Sequence, residues 1–208
     1  MSKGYFISIE GPDGSGKSTQ IENIKKYFEE RKIDTVFTRE PGGTAIGERI
    51  REIILDNNCK EMSYMTEAML YAASRAQHVE QIIRPALASG KVVICDRFVD
   101  SSIAYQGFGR KLVEQVKVIN DFAVDGCMPN ITFLFELDPR IGKHRINQSS
   151  QDRLETEKDS FHLDVYNGYL KLKEMYPDRI IGIDASQSIE SIRNQIYAKL
   201  DSVVKELK

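Results

Sequence analysis

The chain has 208 residues, 41% hydrophobic and 29% charged, enough to bury a full core as one domain over 1–208. Its net charge of −2 gives no global field toward nucleic acid or an anionic membrane, so a small-molecule partner is expected. No apolar run is long enough to span a bilayer or act as a leader, and three cysteines without CxxC spacing suit free thiols, so a soluble, unprocessed, cytoplasmic protein is expected.

Taken in chain order, the β-favouring run Tyr5, Phe6, Ile7, Ile9 predicts a first strand that stops at Gly11. Gly11-Pro12-Asp13-Gly14-Ser15-Gly16-Lys17-Ser18 then fits the phosphate-binding loop at every required position, with Thr19 following. Glycines let backbone N–H groups close around a β-phosphate, and the helix starting near Lys17 adds its positive end. In this pattern Lys17 reaches the β- and γ-phosphates and the Ser18 hydroxyl sits on Mg²⁺. A nucleoside triphosphate ligand is therefore expected.

Ile21, Ile24, Tyr27 and Phe28 recur at helical spacing and predict an amphipathic helix from Lys17 to Arg31. Asp34 to Thr38 reads as a second strand, ended by Arg39-Glu40-Pro41-Gly42-Gly43, a charged pair where open α/β sheets bind ligands. Thr44 to Leu55 reads as a helix and 56–62 as irregular. A long helical pattern runs from Ser63 or Thr66 toward Leu87, with Pro85 expected to bend or interrupt it. Tyr71 and Arg75, four apart, share one face of it.

Val92 to Asp96 reads as a buried parallel strand with Asp96 at its carboxyl tip, the place of a carboxylate that orders Mg²⁺; Arg97 beside it is suited to fork onto phosphate oxygens. Asp100 to Gly109 reads either as a substrate-lining segment around Tyr105 and Gln106 or as an ordinary helix-to-loop stretch. Leu112 to Val124 predicts a helix, Asn130 to Leu137 a fourth strand, and Asp138-Pro139 a helix start carrying Lys143, His144 and Arg145. The polar run Asn147 to Gln151, flanked by Arg145 and Arg153, reads as a lid over residues 142–155. A helix over Phe161 to Tyr176, a strand over Arg179 to Asp184 and a helix over Ile189 to Leu207 complete the chain. His78, His144 and His162 lack metal-ligand spacing and read as structural or surface residues.

Strands alternating with helices predict a five-stranded parallel sheet flanked by helices. Right-handed crossovers then bring Gly11–Ser18, Arg39, Asp96–Arg97 and the 184–186 turn to one rim. The turn around Asp184 to Gln187 is the positional candidate for adenine.

Four segments together resemble the thymidylate kinase family in order and spacing: EGPDGSGKST at 10–19, TREPGG at 38–43, YAASRAQH at 71–78 and DRFVDSSIAYQG at 96–107. A weaker match lies at Asp152-Arg153-Leu154-Glu155, and the resemblance covers essentially the whole chain. It implies a P-loop nucleoside monophosphate kinase fold, transfer of the γ-phosphoryl of Mg-ATP to dTMP giving dTDP and ADP on the way to dTTP, and a homodimer. It further implies that Gly11 to Thr19 bind ATP, that Ser18 and Asp96 serve the metal, and that Lys17, Arg97, Asp13 and Arg153 form the catalytic set. Asp13 would accept a bond from the sugar 3′-hydroxyl. Arg39 and Arg97 would hold the acceptor phosphate, Tyr71 would stack on thymine, and Arg75 would donate to the base O4. Tyr105 would crowd the sugar 2′ carbon, with Ser102 and Gln106 in the base-facing segment.

Gly14 stands where some members carry an arginine, which implies the type whose catalytic arginine comes from the lid: Arg153, with Arg145 as the other candidate. Asn147 to Gln151 holds no arginine, where related lids are often more basic. Two rival readings are a kinase for another nucleotide or a small alcohol, and a nucleotide-dependent switch. The Asn-Lys-x-Asp segment of a GTP switch is absent from the sequence.

Overall fold

The computed structural model describes residues 4–145 and 152–206. Five strands, β1 (Tyr5–Glu10), β2 (Thr35–Arg39), β3 (Val92–Asp96), β4 (Ile131–Glu136) and β5 (Ile180–Asp184), form one parallel sheet in the order β2-β3-β1-β4-β5. The expected five-stranded parallel sheet flanked by helices is the one found.

The central strands are apolar on both faces because both faces are covered. Ile7 and Ile9, Val92 and Ile94, and Ile131, Phe133 and Phe135 face one layer, where α1 (Lys17–Glu30) and α9 (Ile189–Glu206) supply Ile24, Phe28, Ile196 and Leu200. The alternate residues Phe6, Val93, Cys95 and Leu134 face the other layer. That layer is built from α3 (Tyr64–His78), α4 (Arg84–Ala88), α5 (Val99–Ser102), α6 (Val113–Val124) and α8 (Asp159–Met175). α2 (Ala45–Leu55) packs on α3, and the short α7 (Pro139–Lys143) opens the segment read from the sequence as a lid. Where the strands carry hydroxyls in the core, Ser8 and Thr132 of neighbouring strands bond each other at 2.7 Å, so neither is left unsatisfied.

Side-chain caps start α2 and α3 among other helices. Thr44 Oγ1 accepts the Gly47 N–H at 2.9 Å before α2, and Ser63 Oγ accepts the Thr66 N–H at 3.1 Å before α3.

The long helical pattern is interrupted just before Pro85, as expected: α3 gives way to a π-helical turn, Val79–Ile83, which leads into α4. A proline offers no N–H and crowds the carbonyl four residues back, and the wider turn absorbs both defects. Of the two readings of the segment from 100 to 109, the helix running out into a loop is not the one found. α5 continues as a π-helical stretch, Ile103–Gly109, closed by wide bonds such as Arg110 N–H to Tyr105 O at 3.0 Å. Small residues allow it to sink against α8: a Cβ on Gly109 would lie 2.6 Å from the Phe161 ring, and one on Gly168 2.7 Å from Phe108. This packing buries Tyr105 and Gln106 while leaving them on the wall of the cleft.

Asn147 to Gln151, the predicted centre of the lid, lies outside the described residues. No helix among the described residues is long and apolar enough to cross a membrane.

Candidate active site

Because every strand runs the same way, all carboxyl ends meet one rim, and a cleft of about 810 Å³ opens there. It is lined by Asp13 to Thr19, Arg39, Tyr71, Arg75, Asp96, Arg97, Ser102, Tyr105 and Gln106. Of the residues singled out from the sequence, Gly11, Pro12 and Arg153 do not reach its wall.

The phosphate loop joins β1 to α1 through left-handed glycines. At Gly11, φ is +137° and a Cβ would meet the Phe135 carbonyl at 2.6 Å; at Gly14, φ is +73° and a Cβ would meet the Gly142 carbonyl at 2.2 Å. The second contact explains why this loop carries no arginine at position 14: the backbone of α7 occupies the space a side chain would need. α1 begins at Lys17 after Gly16 with no side-chain cap, so its first N–H groups remain open toward the cleft, as an anion site requires. Lys17 folds back on its own loop, donating to the carbonyls of Gly11 at 3.0 Å and Pro12 at 2.8 Å. Burial, helped by the nearby Arg97 charge, brings its ammonium down to about 8.

Asp96 ends β3 with a buried Oδ1 that has no hydrogen-bond partner among the described residues. Ser18 lines the same cleft. A buried orphan carboxylate oxygen and an exposed hydroxyl lining one cleft fit a hard divalent cation such as magnesium.

Arg97, the next residue, takes a left-handed φ of 66°, rare for a side chain of this size. Its backbone N–H is held by Ile9 O at 2.9 Å, and the turn aims its guanidinium across the cleft. There Nη2 pairs with Asp13 Oδ1 and lies 3.4 Å from the Tyr105 hydroxyl, while Nη1 donates to Ser101 Oγ at 3.1 Å and the Tyr169 hydroxyl at 3.2 Å. Tyr105 donates to Asp13 Oδ2 at 3.0 Å. Burial alone would raise the Asp13 carboxyl, but Arg97, Lys17 and the Tyr105 bond hold it well below the usual carboxylate range. Asp13, Arg97 and Tyr105 thus form one connected charged group at the middle of the cleft.

Arg75 is 1% exposed at the far end. Its Nε donates to Glu40 at 2.8 Å, Nη1 to Ser102 Oγ at 3.0 Å and to Asn120 Oδ1, and Nη2 to Phe98 O at 3.0 Å. A guanidinium has five N–H groups, so one on Nη2 remains for a ligand. Glu40 therefore turns inward from the Arg39-Glu40 turn, bonding Arg75 and His78 Nδ1, while His78 also bonds Thr38. Glu40, His78 and Cys95 lie close together in the core, and each is already hydrogen-bonded: Cys95 donates to Arg97 O at 3.0 Å. Arg39 stays on the outer lip, paired with Glu48 at 3.0 Å.

The two arginines that flank the predicted lid divide. Arg145 lines the cleft with Nη1 3.5 Å from Gly14 O. Arg153 points away: Nη2 pairs with Glu67 at 2.7 Å and Nε donates to Ile54 O at 3.0 Å, while its neighbours Asp152, Leu154 and Glu155 face the cleft.

Sequence reasoning assigned no role to several residues that shape the site. Arg51 of α2 lines the cleft and donates to Pro41 O at 3.0 Å. Glu10 accepts from Phe98 N–H at 2.7 Å, Ser101 Oγ at 2.5 Å and the Tyr169 hydroxyl at 3.2 Å, and so braces the partners of Arg97. Burial and the Asp100 charge push its carboxyl upward. The signal for Glu10 was an acid ending an apolar strand; Tyr169 gave none, since an aromatic on a helix reads as core. At the opposite end, Ala185, Gln187, Ser188 and Ile192 line the cleft near the start of α1, which places part of the 184–187 turn there.

Comparison with known proteins agrees with this geometry. The sequence model of the thymidylate kinase family matches residues 9–196. A thymidylate kinase of Lactobacillus helveticus is 52% identical over 99% of this chain and 99% of its own length. One from Exiguobacterium sp. (strain ATCC BAA-1283 / AT1b) is 48% identical over 98% and 96%, and one from Clostridium novyi 46% identical over 94% and 98%. With the phosphate loop, the Asp13–Arg97 pair and the Arg75 pocket in a single cleft, and with relatives this similar over their full lengths, the chain belongs to the thymidylate kinase family.

Proposed function

We propose that this cleft transfers the γ-phosphoryl group of Mg-ATP to dTMP, giving dTDP and ADP on the route to dTTP, in the cytoplasm. The observation that carries the reading is the continuity of the cleft. An uncapped helix start and Lys17 lie at one end, Arg75 with one uncommitted N–H lies at the other, and Arg97 stands between them.

Two anions must approach in line, so the protein's work is to neutralise charge and to align oxygen with phosphorus. The loop N–H groups take the β-phosphate, and Lys17 exchanges the Gly11 and Pro12 carbonyls for phosphate oxygens. Ser18 and Asp96 would hold magnesium, which when bound supplies neutralising charge at the phosphates. Arg39 and Arg97 hold the acceptor phosphate. Asp13, kept ionised by Arg97, accepts the sugar 3′-hydroxyl, and Tyr105 closes the space at the 2′ carbon. Tyr71 stacks on the base, and the spare Arg75 N–H donates to its O4. No strong base is needed, because a phosphate monoester is largely ionised at neutral pH. The lid completes the charge: Arg145 already lies over the phosphate loop, and Arg153 serves once it parts from Glu67.

We also infer a homodimer. Ile46 and Ile53 of α2, Met69 of α3, and Val118 and Phe122 of α6 are exposed, on helices that pack α2 on α3 and α3 on α6; Phe122 is 82% exposed.

ADP release should be fast with dTMP, slower with dUMP and near background with CMP, AMP, GMP or no acceptor; equal release without an acceptor would make the chain an ATPase. Arg145→Ala is expected to lower kcat by about 100-fold with little change in the KM for dTMP. An Arg153→Ala enzyme with unchanged kcat would remove Arg153 from the transfer. Since the Lys17 ammonium sits at about 8 in the free protein and phosphate charge raises it, triphosphate binding at pH 9 should take up a proton. Calorimetry in buffers of different ionisation enthalpy reads that uptake, and none is expected from Lys17 at pH values well below 8, where it is already charged. Phe122→Glu should shift the sedimenting mass from dimer to monomer.

A further inference from the structure

Glu67, in the first turn of α3, is fully buried and does not reach the cleft wall. Its Oε1 accepts from Gln106 Nε2 at 3.0 Å and from Arg110 Nε at 3.2 Å. Oε2 accepts from Arg110 Nη2 at 3.1 Å and pairs with Arg153 Nη2 at 2.7 Å. Burial pushes this carboxyl upward, but the bonds from Arg110 and Gln106 outweigh it and hold it below the usual carboxylate value. An ionised carboxylate only accepts.

Gln106 stands between that carboxylate and the cleft. It is 1% exposed, yet it lines the wall. A primary amide has a donor side and an acceptor side, and with an acceptor-only group behind it only one orientation is satisfied. The nitrogen goes to Glu67 and the oxygen goes the other way. Among the described residues nothing bonds Gln106 Oε1. Arg75, on the same cleft wall, is held by Glu40 so that its spare group is an N–H.

We propose that Glu67 is a specificity-determining positioning residue: by accepting the Gln106 amide it presents the amide oxygen to the base, so that the pocket offers one acceptor beside the one donor of Arg75. A 4-oxo pyrimidine carries an N3–H donor next to an O4 acceptor and complements this pair. A 4-amino pyrimidine carries the reverse pattern, an N3 acceptor next to an amino donor, and meets acceptor against acceptor and donor against donor. Thymine is separated from cytosine by two buried carboxylates that never touch the substrate, Glu40 behind Arg75 and Glu67 behind Gln106. Arg153 sits on the oxygen of Glu67 that Gln106 does not use, so movement of the lid leaves the amide held. The inference rests on the base site proposed above.

Glu67→Gln replaces the acceptor-only group with one that also donates, and frees the Gln106 amide to turn. The ratio of kcat/KM for dTMP over dCMP should fall by about tenfold, the value of one hydrogen bond. An equal loss for both substrates means a merely structural role and overturns the inference. Because the variant leaves Arg110 and Arg153 facing a neutral group, a second measurement uses the wild-type enzyme with N3-methyl-dTMP, which keeps the O4 acceptor but lacks the N3 donor. Its KM should be raised by about tenfold or more in the wild type, and its ratio to the KM of dTMP should fall in Gln106→Leu. Equal KM values in the wild type, or undiminished discrimination in Gln106→Leu, overturn the inference. A Gln106→Leu enzyme with an unchanged KM for dTMP would instead overturn the base-site reading itself.

Discussion

The ion pair between Asp13 and Arg97 is the contact on which the rest of the cleft depends. It ties the phosphate loop, at the end of β1, to the first residue after β3, and through the hydroxyls around Arg97 it reaches Tyr105 and Tyr169 on two further elements. Arg97 adopts a backbone conformation that large side chains avoid, and it holds that conformation because its N–H is fastened to Ile9 and its guanidinium is surrounded by acceptors. The pair also resolves an electrostatic conflict. A carboxylate beside bound phosphates would otherwise be driven toward its neutral form, and Arg97 with Lys17 keeps Asp13 ionised. Each member makes the burial of the other tolerable.

Behind the cleft wall stands a second layer with a common design. Glu10 supports Arg97 through Ser101 and Tyr169, Glu40 grips Arg75, and Glu67 grips Gln106. All three carboxylates are buried. Burying a charge is unfavourable unless it is paired and hydrogen-bonded, and paired burial adds little net stability over a well-packed apolar core. What these groups contribute is orientation. A guanidinium or an amide backed by a carboxylate has its donors assigned, and the face left toward the ligand is thereby chosen.

Much of this was legible in the chain. The phosphate loop could be read because its glycines and Lys17 are contiguous, and the strands because both of their faces are apolar. Asp96 and Arg97 could be placed on the rim because they follow a buried run. Other features could not be read. The wide turn before Pro85 and the π-helical stretch over 103–109 depend on packing against neighbours, and local propensity carries no mark of either. Glu40 read with Arg39 as a charged pair at the ligand-binding rim, yet its carboxylate turns into the core to hold Arg75 and His78. Arg153, flanking the predicted lid, turned to Glu67, a buried carboxylate in the first turn of α3.

The sequence by itself determined the order of the elements, the parallel sheet, the phosphate loop and the resemblance that marks the family. These are local patterns, set by hydrophobic period, turn chemistry and contiguous motifs. Only the tertiary structure decided which acceptor each arginine and amide would meet. Arg75, Arg97, Arg110 and Arg153 all carry the same donors, and their partners come from segments distant in the chain that packing brings together. A hydrogen bond requires a partner at about 3 Å, and no residue type encodes where a distant partner will be.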